Sequence, residues 1–386
     1  MFPAATPRAD RPPDSGEGPD VRVCLAAGGT GGHLLPGLAL GKALRQRGHL
    51  VHFVVKKDEA SQARLAAEGF PSSALFFEGF PRALSFGALA YPWVAWAAYR
   101  SAARIGRRES PGVVVGMGGY VSVPLGLWAG LHRIPLVLHE QNVRAGLANR
   151  FLSRWAAAIG VTFDGTMGLP VERCVKTGLP LRPDLAPGDP GAARRALGLN
   201  ENDGTILVFG GSQGARALNA RWIEALPRLR RPGETWQFIH LTGAADEAAV
   251  RAAYERDGRR AFVRAYYSDM AAVYSAADAA VGRAGANTVM EIYRMGKTAL
   301  LVPFPHATND HQAANARALA RDGGATVVPE KELTVDRIAE VVVGWPSVTD
   351  LRRENERRLA SVPADFLRAA DRLADAVEAA GKEGLS

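Results

Sequence analysis

The sequence predicts an α/β protein of two doubly wound domains facing each other across a cleft. Three observations predict it. Apolar runs of strand length alternate with helix-length amphipathic segments along most of the chain, the pattern of parallel sheets covered by helices on both faces. The alternation pauses at "TGLPLRPDLAPGDPG" (177–191), where four prolines interspersed with glycines mark a linker. It then restarts with the unit that opened it. "VCLAAGGTGGHLLPGLAL" and "ILVFGGSQGARALNARW" are each a buried strand, a glycine loop and a helix, a weak internal repeat at domain scale.

The elements follow in order. "VRVCLAA" leads to a helix near 34–47, "LVHFVV" to one near 58–68, and "ALFFE" to one near 86–107. "GVVVGM", a helix near 121–131 and "IPLVLHE" complete the first series. Strands buried on both faces read as such continuous apolar runs. After "ATVVPE" the spacing predicts helices near 334–344 and 350–359. A last helix over 364–380 carries Phe366, Ala369, Ala370, Leu373 and Val377 on one stripe, suited to packing back across the first domain. The expected organisation is a disordered tail (1–20), an N-terminal domain (21–180), a linker (181–200), a C-terminal domain (201–362) and the returning helix (363–386).

Length and composition agree: 386 residues suggest two domains. Hydrophobic content of 47% with 22% charged residues describes an ordinary globular chain. The net charge of +8 favours an anionic partner. No aromatic-interleaved basic motif points to nucleic acid, so an anionic membrane surface is the expected partner of that charge. Cys24 and Cys174 form no C-x-x-C pair and read as buried thiols in a reducing compartment. No Cys/His cluster has metal-ligand spacing. Residues 1–20, rich in Pro, Asp and Gly, lack the apolar core of a signal peptide, and cytoplasmic residence is expected. The uncharged run 111–131 is broken by glycines and prolines and reads as strand, loop and helix. Residues 83–99 are short for a span and interrupted by Pro92.

Four glycine-rich segments follow apolar strands: 28–32, "GMGGY" (116–120), "GGSQG" (210–214) and "GRAGA" (282–286). Glycines let backbone N–H groups approach an anion closely. A dinucleotide fingerprint is disfavoured, because Leu34 stands where the third glycine belongs and the second strand ends "VVKKDE" instead of in an acidic residue. A Walker G-K-[ST] is absent from the loops at 28 and 210. His33 begins the first helix, where the dipole disfavours the imidazolium and would leave a neutral ring able to accept a proton. "LHEQN" places His139, Glu140, Gln141 and Asn142 at a strand end, the lip of a doubly wound cleft. In "GRAGANTVMEI", Thr288 and Glu291 share a helix face, and Glu291 is either a capping residue or a bidentate acceptor for ribose hydroxyls. "PFPHATNDHQAANA" puts Asp310, His311 and Gln312 at another strand-to-helix junction.

Taken together, "GGTGGH", "GMGGYVS", "HEQN", "GLPLR", "GGSQGA", "RAGANTVMEI" and "HATNDHQAANA" occur in an order that resembles the MurG family of bacterial glycosyltransferases over about residues 21–345. The resemblance implies a GT-B fold, two Rossmann-like domains separated by a cleft. It also implies transfer of N-acetylglucosamine from UDP-N-acetylglucosamine to the C4 hydroxyl of lipid I, the undecaprenyl-pyrophosphoryl-N-acetylmuramyl-pentapeptide, with inversion. The implied donor contacts are Thr30, Gly31, Gly32, Asn142, Arg182, Ser212, Tyr267, Ala286, Asn287, Thr288, Val289, Met290, Glu291 and Gln312. Glu291 would hold the ribose, Arg182 and Ser212 the diphosphate, and Gln312 the sugar. The acceptor phosphate would lie against Gly28, Gly29, Gly118, Gly119 and Tyr120. Four positions depart from the family pattern: Leu179 replaces an Asn, Ala284 and Asn287 alter the "RSGALT"-type loop, and Tyr267 replaces a smaller uracil contact.

Inverting transfer needs a base at the acceptor hydroxyl and help for the departing diphosphate. His33 is the expected base or acceptor-orienting residue, with Glu140 the alternative. No D-x-D motif ends a strand, so neither metal nor cofactor is called for. A lipid acceptor requires membrane access, and residues 81–108 supply it: Leu84, Phe86, Leu89, Trp93 and Trp96 beside Arg100 and Arg104, an interfacial anchor at the cytoplasmic face of the inner membrane. Another GT-B UDP-sugar enzyme and a non-catalytic nucleotide-sugar scaffold remain the rival readings.

Overall fold

A computed structural model describes residues 21–28, 31–77, 86–211, 214–321 and 323–383. The side chains of residues 86–90, 308 and 383 are outside that description. The first domain runs β1 (Arg22–Ala26), α1 (Gly31–Gln46), β2 (Leu50–Lys56), α2 (Glu59–Ala67), β3 (Ser72–Leu75), α3 (Phe86–Glu109), β4 (Val113–Gly116), α4 (Ser122–Leu131), β5 (Leu136–Glu140), α5 (Leu147–Leu152), β6 (Ala156–Val161) and β7 (Cys174–Lys176). The connection carries α6 (Pro190–Ala196). The second domain runs β8 (Gly204–Phe209), α7 (Arg216–Ala225), β9 (Trp236–Leu241), α8 (Glu247–Arg256), β10 (Ala261–Arg264), α9 (Met270–Ala276), β11 (Ala279–Gly282), α10 (Ala286–Arg294), β12 (Thr298–Leu301), α11 (His311–Arg321) and β13 (Ala325–Val327). Four helices follow: α12 (Val335–Val343), α13 (Val348–Ser361), α14 (Ala364–Leu367) and α15 (Ala369–Glu383).

Both sheets are wholly parallel. Their strand orders are β3-β2-β1-β4-β5-β6-β7 and β10-β9-β8-β11-β12-β13. In each, the order reverses beside the first strand, between β1 and β4 and between β8 and β11. Ligands of open α/β sheets sit at the strand ends flanking such a reversal. The four glycine-rich segments leave those four strands. Small residues belong there because the loops press together: a Cβ on Gly28 would lie 2.4 Å from Val121 Cγ2, and one on Gly119, at φ +73°, would lie 2.9 Å from the Gly28 carbonyl.

Two segments join the halves. The segment expected as linker sends Leu185, Leu197 and Leu199 into the second-domain core. There Arg194 of α6 donates to Asp278 Oδ1 at 2.8 Å. The C-terminal chain goes the other way: Leu373, Ala374, Val377 and Ala380 of α15 are buried in the first-domain core with Leu40 and Leu44 of α1. The contact is locked by Arg47 to Asp375 at 2.7 Å and His49 to Glu378 at 2.9 Å. Phe366, on the expected apolar stripe, packs instead on Tyr293 of the second domain, because the chain breaks between α14 and α15. The described residues include no helix long and apolar enough to cross a membrane.

Candidate active site

A cavity of about 850 Å³ lies between the two sheets at the reversal points. His33, the third residue of α1, forms part of its first-domain wall. Its ring lies over the 118–119 loop so closely that a Cβ on Gly118 would come within 3.0 Å of Cδ2. The Nδ1 atom is buried with no hydrogen-bond partner among the described residues. Burial lowers the imidazole pKa to about 4, helped by the nearby His311 across the cleft. The neutral ring expected from the sequence is therefore present, but desolvation is the leading cause instead of the helix dipole. Gly118, Gly119 and Tyr120 line the same wall, with Tyr120 exposed. Gly28 does not line it, being packed beneath Val121. Gly29, Thr30 and Ser212 lie outside the described residues.

The "HEQN" stretch is a scaffold. Glu140 is buried, and four N–H groups occupy both of its oxygens. Asn142 N and Nδ2 donate to Oε1 at 3.0 Å each, Gly146 N to Oε2 at 3.0 Å, and Asn149 Nδ2 to Oε2 at 2.9 Å. A carboxylate saturated in this way organises the 140–149 loop, and it has no lone pair directed at an acceptor hydroxyl. The structure thus argues against the alternative base role for Glu140. Gln141 Nε2 donates to the Met117 carbonyl at 2.6 Å and pins the 117–120 loop. His139 bonds the Gly178 carbonyl through Nε2 at 2.9 Å, tying the strand end to the start of the interdomain connection.

The second-domain wall carries the expected donor residues. Glu291 on α10 is buried, and desolvation raises its pKa to about 7 against the opposing charge of Arg182. Tyr274 Oη donates to its Oε2 at 3.0 Å, leaving Oε1 to the cleft. Arg182 donates through Nη1 to Ser268 O at 3.2 Å, while its buried Nε has no hydrogen-bond partner among the described residues. Such an unmatched cationic N–H is suited to an anionic ligand. Gln312 accepts Phe304 N–H at 2.9 Å and Ala284 N–H at 3.3 Å through Oε1, which leaves its amide nitrogen free of these two contacts in the cavity lining. Ala286, Asn287, Thr288 and Tyr267 line the cavity. Val289 and Met290 do not. They lie on the opposite face of α10, in the second-domain core, so the side-chain contacts expected of them are corrected.

Sequence reasoning missed the latch between the walls. Asn315 of α11 is fully buried. Its Oδ1 accepts Val143 N–H at 3.0 Å, and its Nδ2 donates to Asn142 Oδ1 at 3.0 Å. Asn142 is thereby held from both sides, by Glu140 within its own domain and by Asn315 from the other. Asn287 Nδ2 also reaches the Gly31 carbonyl across the cleft, at 3.5 Å. Asn315 lay within a quoted motif, but nothing in its spacing shows a partner 173 residues away. Asn315→Leu is expected to cost about 1–3 kcal/mol, because it takes the acceptor from the half-buried Val143 N–H and the donor from Asn142 Oδ1. Urea denaturation measures that loss, and UDP-N-acetylglucosamine titration should show weaker donor binding through the displaced Asn142.

On α3 of the first domain, Trp93 and Trp96 are 71% and 52% exposed, more than single apolar side chains needing shelter would be. They meet edge to face at 6.1 Å, and Arg100 stacks over Trp96 at 4.7 Å. Arg104 is exposed, whereas Ala98, Ala102, Ala103 and Ile105 form the buried face of the helix. Leu84 and the side chains of Phe86 and Leu89 lie outside the described residues.

Two parallel sheets with facing reversal points, and a cleft between them carrying a buried carboxylate, an arginine whose Nε makes no hydrogen bond and a neutral imidazole, define a sugar-nucleotide-dependent glycosyltransferase of the GT-B class. Residues 23–161 match the glycosyltransferase family 28 N-terminal domain, and residues 205–373 match its C-terminal domain. A protein of Syntrophus aciditrophicus is 37% identical over 346 residues, 89% of this chain and 94% of its own. One of Verminephrobacter eiseniae is 41% identical over 323 residues, 82% of this chain and 88% of its own. Both are named UDP-N-acetylglucosamine--N-acetylmuramyl-(pentapeptide) pyrophosphoryl-undecaprenol N-acetylglucosamine transferase. The crystal structure of Acinetobacter baumannii MurG superposes with a TM-score of 0.72 at 29% identity, covering 93% of this chain and 99% of that one. The chain belongs to the MurG transferases of glycosyltransferase family 28.

Proposed function

We infer that this chain transfers N-acetylglucosamine from UDP-N-acetylglucosamine to the C4 hydroxyl of lipid I with inversion, releasing UDP and forming lipid II, the peptidoglycan precursor. The observation that carries the reading is the pairing, in one cleft, of an acceptor wall bearing His33 with a donor wall bearing Glu291 and Arg182. In this account Glu291 receives the ribose hydroxyls, and Tyr267 borders the base. Arg182 and the N-terminal end of α7 meet the diphosphate, whose charge grows as the bond from the sugar C1 to phosphate oxygen breaks. The C4 oxygen bonds to C1 from the opposite face as its proton passes to the neutral imidazole of His33. A bound diphosphate would also raise the low pKa of His33 toward a useful range, since a nearby negative charge favours the imidazolium. Mass spectrometry of a short-chain lipid-linked muramyl-pentapeptide incubated with enzyme and donor tests the reading. The acceptor should gain one N-acetylhexosamine, and an unmodified acceptor would refute it.

The lipid tail requires the enzyme to work at the cytoplasmic face of the membrane as a peripheral protein. Trp93 and Trp96 would enter the headgroup region while Arg100 and Arg104 meet anionic lipid, each cation contributing about 1 kcal/mol. The doubly substituted Trp93→Asp, Trp96→Asp variant is expected to stop co-sedimenting with phosphatidylglycerol vesicles while binding UDP-N-acetylglucosamine normally. Undiminished sedimentation would remove α3 as the anchor.

A further inference from the structure

A second cavity, of about 700 Å³, opens beside the first. The two share Leu35, Arg64 and Arg182, so the second begins at the lip of the active cleft, two residues along α1 from His33. It runs between α1 on one side and the 181–185 segment, Arg294 of α10 and the α14–α15 break on the other. Its acids are engaged. Glu68 pairs with Lys42 at 2.7 Å, Asp371 with Arg47 at 3.4 Å, and Asp184 lies 4.0 Å from Arg182. Arg64 and Arg294 are half-buried in the wall and meet no carboxylate among the described residues. Burial pulls the Arg294 pKa below its ordinary value. A half-buried guanidinium with no acid beside it is suited to an anionic ligand.

We propose that this cavity receives the peptide arm of the acceptor, with Arg294 and Arg64 meeting its carboxylates. The proposal rests on the transferase reading above. The muramyl peptide leaves the sugar from the lactyl ether on C3, the carbon next to the C4 whose hydroxyl attacks. If C4 lies at His33, the arm must depart through an opening adjacent to His33, and the Leu35–Arg64 lip is such an opening. The length agrees: five extended residues span about 17 Å, and the helix that floors the cavity from Leu35 to Gln46 rises about 16 Å over that stretch. The direction agrees too. Helix α3, with its exposed tryptophans, covers one face of the first sheet with α4, whereas α1 and α15 pack together on the other, so lipid and peptide would leave the sugar on opposite sides. The chemistry selects a short acidic peptide, because apolar walls from Leu38 and Leu181 alternate with the two unmatched cations.

The test compares two acceptors of the same lipid length, one with the full pentapeptide and one trimmed to its first amino acid. Arg294→Glu should raise KM for the pentapeptide acceptor about tenfold or more, the worth of a lost charge-assisted hydrogen bond. Arg294→Lys should recover much of it. KM for the trimmed acceptor and for UDP-N-acetylglucosamine should stay at the wild-type values in both variants. An equal change on both acceptors, or no change on either, would overturn the peptide subsite while leaving the transferase reading intact. Failure of the wild-type enzyme to glycosylate either acceptor would take both readings down together.

Discussion

His33→Ala is expected to lower kcat by about 10²- to 10⁴-fold, the usual worth of a positioned acid–base group, while KM for UDP-N-acetylglucosamine barely moves. The imidazole sits on the wall opposite Glu291 and Arg182, so its loss removes an interaction made with the attacking hydroxyl and leaves the nucleotide contacts in place. Its pKa of about 4 gives the expectation a pH signature. Only the neutral ring accepts a proton, and the ring of the free enzyme is neutral throughout the range above about pH 4. Protonation of His33 should therefore impose no acid limb between pH 6 and 9 on kcat/KM, which reports the free enzyme. Glutamine at this position keeps a hydrogen-bonding group but cannot take the proton, so His33→Gln should be nearly as slow as His33→Ala if His33 is the base. Substantial recovery with glutamine would make it an orienting group.

Glu291→Gln is expected to raise KM for UDP-N-acetylglucosamine by about ten- to a hundredfold, since hydrogen bonds to a charged acceptor carry about 1.5–3 kcal/mol each. The carboxylate is buried in α10 with one oxygen held by Tyr274 at 3.0 Å, which fixes the other toward the cleft. Desolvation raises its pKa to about 7. The free protein thus carries this group partly protonated near neutrality, and the proton must leave before two hydroxyls can be accepted. Donor affinity should improve as pH rises through about 7 and weaken as it falls below, and Glu291→Gln should abolish that dependence. Isothermal titration with UDP-N-acetylglucosamine, whose diphosphate does not titrate in this range, at pH 6 and pH 8 measures it. A pH dependence that survives in Glu291→Gln would place the titrating group elsewhere.

The fold was legible because strands covered on both faces cannot hide their character. β8, β9 and β11 are apolar or fully buried at every position, and glycines stand where the loops leaving β1, β4, β8 and β11 approach each other. The return of α15 was legible from one stripe, of which Leu373 and Val377 reach the first-domain core. The candidate site was legible by location more than by role. Glu140 looked like a base because a carboxylate at a strand end resembles one, and only the curl of residues 142–149 over it reveals four N–H donors. Val289 and Met290 came with a continuous motif, but successive helical residues turn away from one another, so the middle of such a motif faces the core. The Asn142–Asn315 latch and the unmatched Arg294 depend on which surfaces the two domains turn toward each other, and no local pattern encodes that.

The central claim is that donor and acceptor react across the cleft by direct displacement. UDP release measured with and without the lipid-linked muramyl-pentapeptide tests it most directly. The account predicts UDP release that depends on acceptor, equals the acceptor glycosylated mole for mole, and collapses in His33→Ala without loss of donor binding. UDP release at the same rate without acceptor, or none with it, would contradict the account.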